Sequence, residues 1–304
     1  MKHKVSVIIR AHGEAVFLNR TIESIENQIY LNQIVVVVDR PSHSLTKMLK
    51  SYNDKPHITL VDLDYINLSR ALNLGLLHSR NNLVAIIDGD DTMNSNRLEM
   101  QANFLFEHEK IPVVGSSFFQ IDSNDKIIKN VNMPLLLDKG SFTNWTFCPV
   151  AHSTVMFRKD VIVQYGGYSE KYELAEDYDL WIKINKHFAI YNLPDHLTNY
   201  RIHGTQTTSS NFLKISRVKV AVDIENGLSV RKKRAELLIS NSVEEFYNRN
   251  TFNISLWHAV VFELILHQIN LFINKKKTYK ALCCRLILFS FFPKRLFRQI
   301  GSHD

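Results

Sequence analysis

Cysteine is scarce in this chain of 304 residues, with three in all, Cys148, Cys283 and Cys284. An odd number, two of them adjacent, makes no disulfide framework and offers no zinc-ligand spacing, so the expected setting is a reducing cytoplasm. Glycine and proline are few, at 10 and 7, and neither an internal repeat nor a low-complexity linker interrupts the chain. Long apolar runs are missing as well. No span of about 20 uncharged apolar residues exists, so no transmembrane helix is expected; the nearest approach, 254–273, carries His258, Glu263, His267, Gln268 and Asn270. The N-terminus enters a strand-like run by Val5, too early for a secretory leader. The first turn, Arg10 to Glu14, holds only Gly13. It lacks the G-x-G-x-x-G phosphate cradle, which argues against dinucleotide binding.

Acids are outnumbered, 30 against 37 Lys and Arg, for a formal charge of +7. The field favours anionic partners such as nucleotide phosphates or anionic lipid. Its excess is concentrated at the C-terminus, where Lys275, Lys276, Lys277, Lys280, Arg285, Lys294, Arg295 and Arg298 face one acid, Asp304. No recognised nucleic-acid motif accompanies these cations, so nucleic acid is not an expected partner. With 45% hydrophobic and 22% charged residues the composition is that of a globular protein, and a chain of this length buries roughly three quarters of its unfolded surface.

What is present is an alternation. Val5–Ile9, Ile34–Val38, Ile58–Leu63 and Leu83–Ile87 are short apolar runs of strand length, and Pro112–Ile121 is a fifth. Between them Phe17, Leu18, Ile22 and Ile25, then Leu45 to Tyr52, Ser69 to Ser79 and Arg97 to His108 carry helical periodicity. Continuous apolar strands separated by amphipathic helices predict a parallel sheet covered on both faces, an α/β fold, over residues 1 to about 120. Beyond that the pattern loosens, with a strand expected at Thr154–Arg158 and a helix at Asp177–Lys186. From about 211 the chain reads as helical, aromatic and basic.

Ligands of an open parallel sheet bind beyond the carboxyl ends of its strands. Two acidic turns fall there: Asp39 after Val38, and Asp88-Gly89-Asp90-Asp91 after Ile87. Carboxylates so close repel one another, and a divalent cation with oxygen ligands, Mg²⁺ or Mn²⁺, would hold them ionised together with substrate phosphates. A turn-forming or helix-capping role is the plain alternative for such a cluster.

A series of segments across the first two hundred residues resembles family 2 glycosyltransferases of the GT-A fold, of the kind that builds bacterial surface polysaccharides. It comprises Val5-Ser6-Val7-Ile8-Ile9, Ile34 to Ser42, Ala71-Leu72-Asn73-Leu74-Gly75, Ile86 to Asp91, Arg97-Leu98-Glu99-Met100-Gln101 and Val113-Val114-Gly115-Ser116. It continues through His152 to Arg158, Gly166-Gly167-Tyr168, Glu176-Asp177-Tyr178-Asp179-Leu180-Trp181 and Tyr200-Arg201-Ile202-His203. The resemblance implies a GT-A catalytic domain over 1–210, with a mainly parallel mixed sheet, followed by a helical basic region over 211–304. It implies that Asp39 reads the nucleotide base and that Asp88, Asn73 and Arg70 contact the nucleotide-sugar donor. Asp90, Asp88 and His203 would be the Mn²⁺ or Mg²⁺ ligands. Asp177 would be the general base, with Glu176 beside it, in an inverting transfer to a glycan or lipid-linked acceptor.

The chain departs from the family pattern in three places. Arg10, Ala11 and His12 stand where a Pro and an Asn are usual, Arg40-Pro41 replaces an acidic-glycine pair, and Leu72 replaces an Arg. Two rival readings stand beside the transferase. Asp88-Gly89-Asp90-Asp91-Thr92 also fits the loop of haloacid-dehalogenase-like phosphatases, and a non-catalytic nucleotide-sugar binder would keep much of the same surface. The segment 281–292, followed by Lys294-Arg295, is expected either to lie on an anionic membrane surface or to pack on the catalytic domain.

Overall fold

The computed structural model describes residues 3–13, 15–63, 67–142, 148–172 and 174–204, with single positions at 215, 218, 219, 222, 223 and 226. The chain divides into two compact units, Met1–Val230 and Arg231–Asp304. The second unit, with the expected basic helices and membrane-surface segment, lies outside the described residues.

The first half follows the alternation read from the sequence. Strand β1 is Val5–Gly13, helix α1 Leu18–Glu26, β2 Leu31–Pro41, α2 His43–Lys50, β3 Ile58–Leu63, α3 Leu68–His78 and β4 Leu83–Asp88. A short β5, Thr92–Met93, precedes α4, Arg97–Glu107, and β6, Val113–Ile121. Then come β7, Ile127–Val131, β8, Leu136–Leu137, β9, Met156–Arg158, α5, Lys159–Gln164, α6, Glu176–Asn185, and β10, Ile190–Arg201. One sheet runs in the order β3-β2-β1-β4-β9-β6-β10-β5, with β7 on β6 and β8 on β10. Its β3-β2-β1-β4 half is parallel, and β9 pairs antiparallel with both β4 and β6.

Alternation along each strand explains why the runs are apolar throughout. Ile8, Val35, Val37, Val84 and Ile86 face one layer, packed with Ala71, Leu72 and Leu76 of α3 and Leu180, Trp181 and Ile184 of α6. Val7, Ile9, Val36, Val38, Ala85 and Ile87 face the other, against Leu18, Ile22 and Ile25 of α1 and Leu98, Ala102 and Leu105 of α4. Each fully buried aliphatic side chain contributes about 1.5–3 kcal/mol, so both layers are needed. Two helices are started by side-chain caps: Ser42 Oγ accepts from the Leu45 N–H at 3.1 Å, and Asn67 Oδ1 from the Arg70 N–H at 2.8 Å.

Besides the short β5, β7, β8 and α5, which the sequence did not announce, three differences from expectation bear on the site. The loop expected at Arg10–Glu14 is strand as far as Gly13, because Arg10, Ala11 and His12 pair with Val37, Val38 and Asp39 of an equally long β2. The strand expected from Thr154 begins at Met156, since His152–Thr154 forms a 3-10 turn. The twelve-residue β10 has no counterpart in the sequence reading. Pro194, Asp195 and His196 interrupt its periodicity, and its pairing with β6 shifts register between Leu193 and His196 and again before Thr198. Such bulges are where a sheet tolerates proline.

Candidate active site

Parallel pairing brings the carboxyl ends of β1, β2 and β4 together. In that register His12 lies opposite Asp39 and Arg10 opposite Asp88. A cation, Arg10, therefore stands beside Asp88 by strand alignment alone, while burial lowers the pKa of His12 beside Asp39. Asp39 is 3% exposed, and its Oδ1 accepts no hydrogen bond; the nearest cation, Arg40 Nε, is 3.8 Å away. A buried carboxylate oxygen without a donor is costly, and a donor group on a ligand would complete it.

The turn after β4 is held from beneath. Ser153 Oγ accepts from the Asp88 N–H at 3.1 Å and donates to Asp91 Oδ2 at 2.5 Å. Asp91 is fully buried and also accepts from the Arg201 N–H at 2.8 Å, while its carbonyl takes Thr21 Oγ1 at 2.7 Å. Arg97, likewise fully buried, donates to the carbonyls of Ser153, Ile86 and Val155 at 2.9, 2.8 and 3.2 Å. Burial pushes its pKa down to about 9, against the opposing pull of the Asp91 and Asp88 charges. Burial raises the Asp91 carboxyl well above the usual range, helped by Asp88 and Asp90. The loop thus rests on a dry polar network and presents Asp88 and Asp90 outward.

Asp90 Oδ2 lies 2.8 Å from His203 Nε2. The His203 ring is tilted 5.5 Å from Phe17. Arg201 ties the neighbourhood together: its Nε donates to the Asp90 carbonyl at 2.7 Å and Nη1 to the Asp122 carbonyl at 2.9 Å. Its Nη2 meets Asp125 Oδ1 at 2.6 Å, and the guanidinium lies 4.3 Å over the Phe17 ring.

From the other side comes α6, whose first turn holds Glu176, Asp177 and Asp179 with no side-chain cap. These acids lie where the helix dipole favours negative charge. Asp177 Oδ1 accepts from the Tyr178 N–H at 2.7 Å. Glu176 is 4% exposed, with Oε2 unbonded. Burial first and the Asp177 charge second push its carboxyl up to about 8, with Arg10 and its own backbone N–H pulling the other way. Asp88 is raised by burial, then by Asp90, with a smaller push from Asp177 and relief from His152 and Arg10. Asp88, Asp90, Glu176 and Asp177 therefore share one electrostatic neighbourhood, with Arg10 as its cation and the His152 imidazole alongside. His152 Nε2 is 3.0 Å from the Tyr168 hydroxyl. Tyr168 and Trp181 are buried core side chains.

Asn73 and Arg70, the other residues expected at the donor, both lie on α3. Asn73 Nδ2 donates to the Tyr168 carbonyl at 2.8 Å and Oδ1 accepts the Tyr168 N–H at 2.9 Å. It clamps the Gly166-Gly167 turn onto α3. A Cβ on Gly167, whose φ is +63°, would sit 2.7 Å from Asn73 Oδ1, which is why glycine stands there. Arg70 is exposed on α3. The expected metal trio is not gathered: among the described residues no three His, Cys, Asp or Glu side chains form a group that could hold a metal ion. Asp90 pairs with His203, while the like charges of Asp88 and Asp90 repel. A partial set of carboxylates and one imidazole fits Mg²⁺ or Mn²⁺, which take one or two carboxylates and complete their shell from substrate phosphates. The sequence alone assigns no site role to Arg10, Ser153, Arg97 or Arg201, although Ser153, Arg97 and Arg201 lie inside segments that carry the family resemblance and Arg10 marks a departure from it.

A family model described as "Glycosyl transferase family 2" matches residues 6–166. The O-antigen biosynthesis glycosyltransferase WbnJ of Escherichia coli is 31% identical over 212 residues, 68% of this chain and 82% of its own. An E. coli protein named UDP-Gal:alpha-D-GlcNAc-diphosphoundecaprenol beta-1,3-galactosyltransferase is 29% identical over 188 residues, 60% of this chain and 67% of its own. The crystal structure of S. aureus TarS 1-349 in complex with UDP-GlcNAc superposes with a TM-score of 0.61, covering 99% of this chain and 93% of that one. At 15% identity that likeness is one of fold, and the fold is GT-A.

Proposed function

The chain belongs to glycosyltransferase family 2, and from that membership we propose that it transfers a sugar from a UDP-sugar, with inversion, to a hydroxyl of a surface glycan or its lipid-linked precursor. The observation that carries this reading is the meeting of two acidic elements at the carboxyl edge of the sheet: the Asp88–Asp91 turn after β4 and the Glu176-Asp177 start of α6, each perturbing the other's protonation. Related proteins point the same way through their names, one an O-antigen enzyme and one a galactosyltransferase whose printed acceptor is a diphosphoundecaprenol-linked sugar.

In this reading Asp39 offers its unbonded Oδ1 to the nucleotide base, and Asp88 and Asp90 face the diphosphate. A bound Mn²⁺ or Mg²⁺, held by Asp90 and Asp88 with His203 at hand, would supply charge stabilisation of the leaving diphosphate. Arg201 and Arg97 keep the turn rigid, so its carbonyls and carboxylates need no rearrangement as charge develops. Asp177 takes the proton from the acceptor hydroxyl while that oxygen attacks the anomeric carbon from the face opposite the diphosphate. One displacement inverts the centre, and no covalent intermediate forms. General-base assistance of this kind is worth roughly 10²–10⁴-fold. Glu176, with its pKa near 8, stays mostly protonated at neutral pH and adds no second full charge beside Asp177.

The test is isothermal titration of the protein with UDP and UDP-sugars in Mn²⁺, Mg²⁺ or EDTA, repeated with Asp90→Ala. Metal-dependent binding of UDP, lost in the variant, is the expected result. UDP binding indifferent to both EDTA and Asp90→Ala would remove the metal from the reading, and no nucleotide binding under any condition would remove the donor site.

A further inference from the structure

A cleft of about 550 Å³ opens beside the acidic turn, and no step of the reaction above uses it. Its volume falls within the ~300–1,000 Å³ of small-molecule sites. Three elements build it: α1 and its C-cap bring Arg20, Glu23 and Asn27, the segment after the acidic turn brings Thr92 and Asn94, and the end of β10 brings Asn199. Phe119 of β6 and Ile127 of β7 supply apolar surface.

The charge balance speaks against an anionic ligand. Arg20 Nη1 is 2.6 Å from Asp125 Oδ2, and Asp125 also meets Arg201, so these two cations are balanced by Asp125 and Glu23 and the cleft offers an anion no free positive charge. The amides are oriented by the protein itself. Asn199 Nδ2 donates to Thr92 Oγ1 at 3.0 Å and to Asn94 Oδ1 at 3.2 Å, while Asn94 Nδ2 donates to the His196 carbonyl at 2.5 Å. The Oδ1 atoms of Asn27 and Asn199 accept no hydrogen bond among the described residues, and both line the cleft. Phe119 is held flat by stacking on His196, with ring centroids 4.6 Å apart and planes at 18°. Fixed amide oxygens and a carboxylate take hydroxyl protons, and the negative face of an aromatic ring attracts the weakly positive C–H face of a pyranose. Those are the two surfaces of a neutral sugar.

We propose that this cleft binds a stretch of neutral glycan belonging to the acceptor chain, away from the hydroxyl that reacts. The proposal rests on the reading of the chain as a transferase acting on a glycan, and it adds a second point of attachment for that substrate. The cleft is wired to the catalytic turn: Asp125 bonds Arg20 at the cleft and Arg201 at 2.6 Å, and Arg201 holds the Asp90 carbonyl. A glycan seated there therefore lies two side chains from the diphosphate-facing turn.

The probes are linear hexasaccharides of glucose, galactose and N-acetylglucosamine, titrated into the full chain by saturation-transfer NMR alongside UDP. The variants are Asn27→Ala, at the exposed C-cap of α1, and Phe119→Ala. At least one hexasaccharide is expected to bind the wild type saturably, and both variants should weaken it by roughly tenfold while leaving UDP binding unchanged. UDP binding without any hexasaccharide binding, or hexasaccharide binding equal in wild type and Asn27→Ala, overturns the glycan cleft alone. Variant-sensitive hexasaccharide binding without UDP binding supports the cleft and sinks the donor assignment instead.

Discussion

Glu176 gives the sharpest physical handle on the site, because its burial converts directly into a dependence of stability on pH. The carboxyl titrates at 4.5 in an unstructured chain and at about 8 in the fold. Between those values the native state keeps a proton that the unfolded state has released. Stability therefore falls as pH rises across that window, is unaffected by this group below it, and has lost the whole contribution above about 8. At about 1.4 kcal/mol per pH unit the loss accumulates to roughly 4–5 kcal/mol, an upper value because ionisation draws water into the site. Glu176→Gln is neutral at every pH and nearly isosteric. Urea unfolding of both proteins in EDTA, followed by tryptophan fluorescence from pH 4.5 to 9, should show the wild type losing stability relative to the variant, most steeply between pH 5 and 8. Asp177→Asn should narrow the pH window and reduce the total loss, since the Asp177 charge is the second cause of the shift. A wild-type-minus-Gln difference that stays flat with pH would refute the buried, uncompensated carboxyl on which the division of labour between Glu176 and Asp177 depends.

Three further perturbations test other parts of the site. Arg201→Lys keeps the charge but cannot reproduce a guanidinium fork that serves two carbonyls and Asp125. Transfer should fall more than tenfold, with about 1–3 kcal/mol lost in denaturant melts for the carbonyls left without donors; full activity would mean the Asp90 turn holds itself. Asp39→Ala should raise the UDP dissociation constant by about tenfold, the weight of one charge-assisted hydrogen bond, without changing kcat at saturating donor. Gly167→Ala forces a left-handed residue against Asn73 Oδ1 and should cost about 1–3 kcal/mol of stability, read as a lower midpoint in thermal melts.

The parallel half of the fold was legible because it is buried on both faces. Val35 to Val38 and Val84 to Ile87 have no solvent side to supply polar residues, so strand length and apolar continuity coincide. The second half follows different rules. In β10, Asn192 is fully buried yet polar, its Nδ2 shared between the carbonyls of Pro134 and Pro149, and Pro194 sits at a register shift. A strand whose buried positions are polar and whose period breaks twice carries neither of the signals that periodicity detects.

The same contrast runs through the site. Asp39, Asp88, Asp90, Glu176 and Asp177 are acids at element ends, where a motif can be read because the residues are adjacent in sequence. Their supports are not adjacent: Ser153 reaches Asp91 across 62 residues, Arg201 reaches the Asp90 carbonyl across 111, and His203 reaches Asp90 across 113. Arg97 looked like the opening of an amphipathic helix, which it is, but its buried guanidinium also bonds three carbonyls beneath the catalytic turn. A buried arginine of this kind is stable only when such acceptors surround it. The acceptors are backbone atoms, and backbone atoms are common to every sequence. Side chains that bond to side chains leave a pattern in residue type; side chains that hold the backbone leave one only in three dimensions. That is why the carboxylates proposed to react stand out in the sequence, while the backbone contacts of Arg97 and Arg201 beneath them do not.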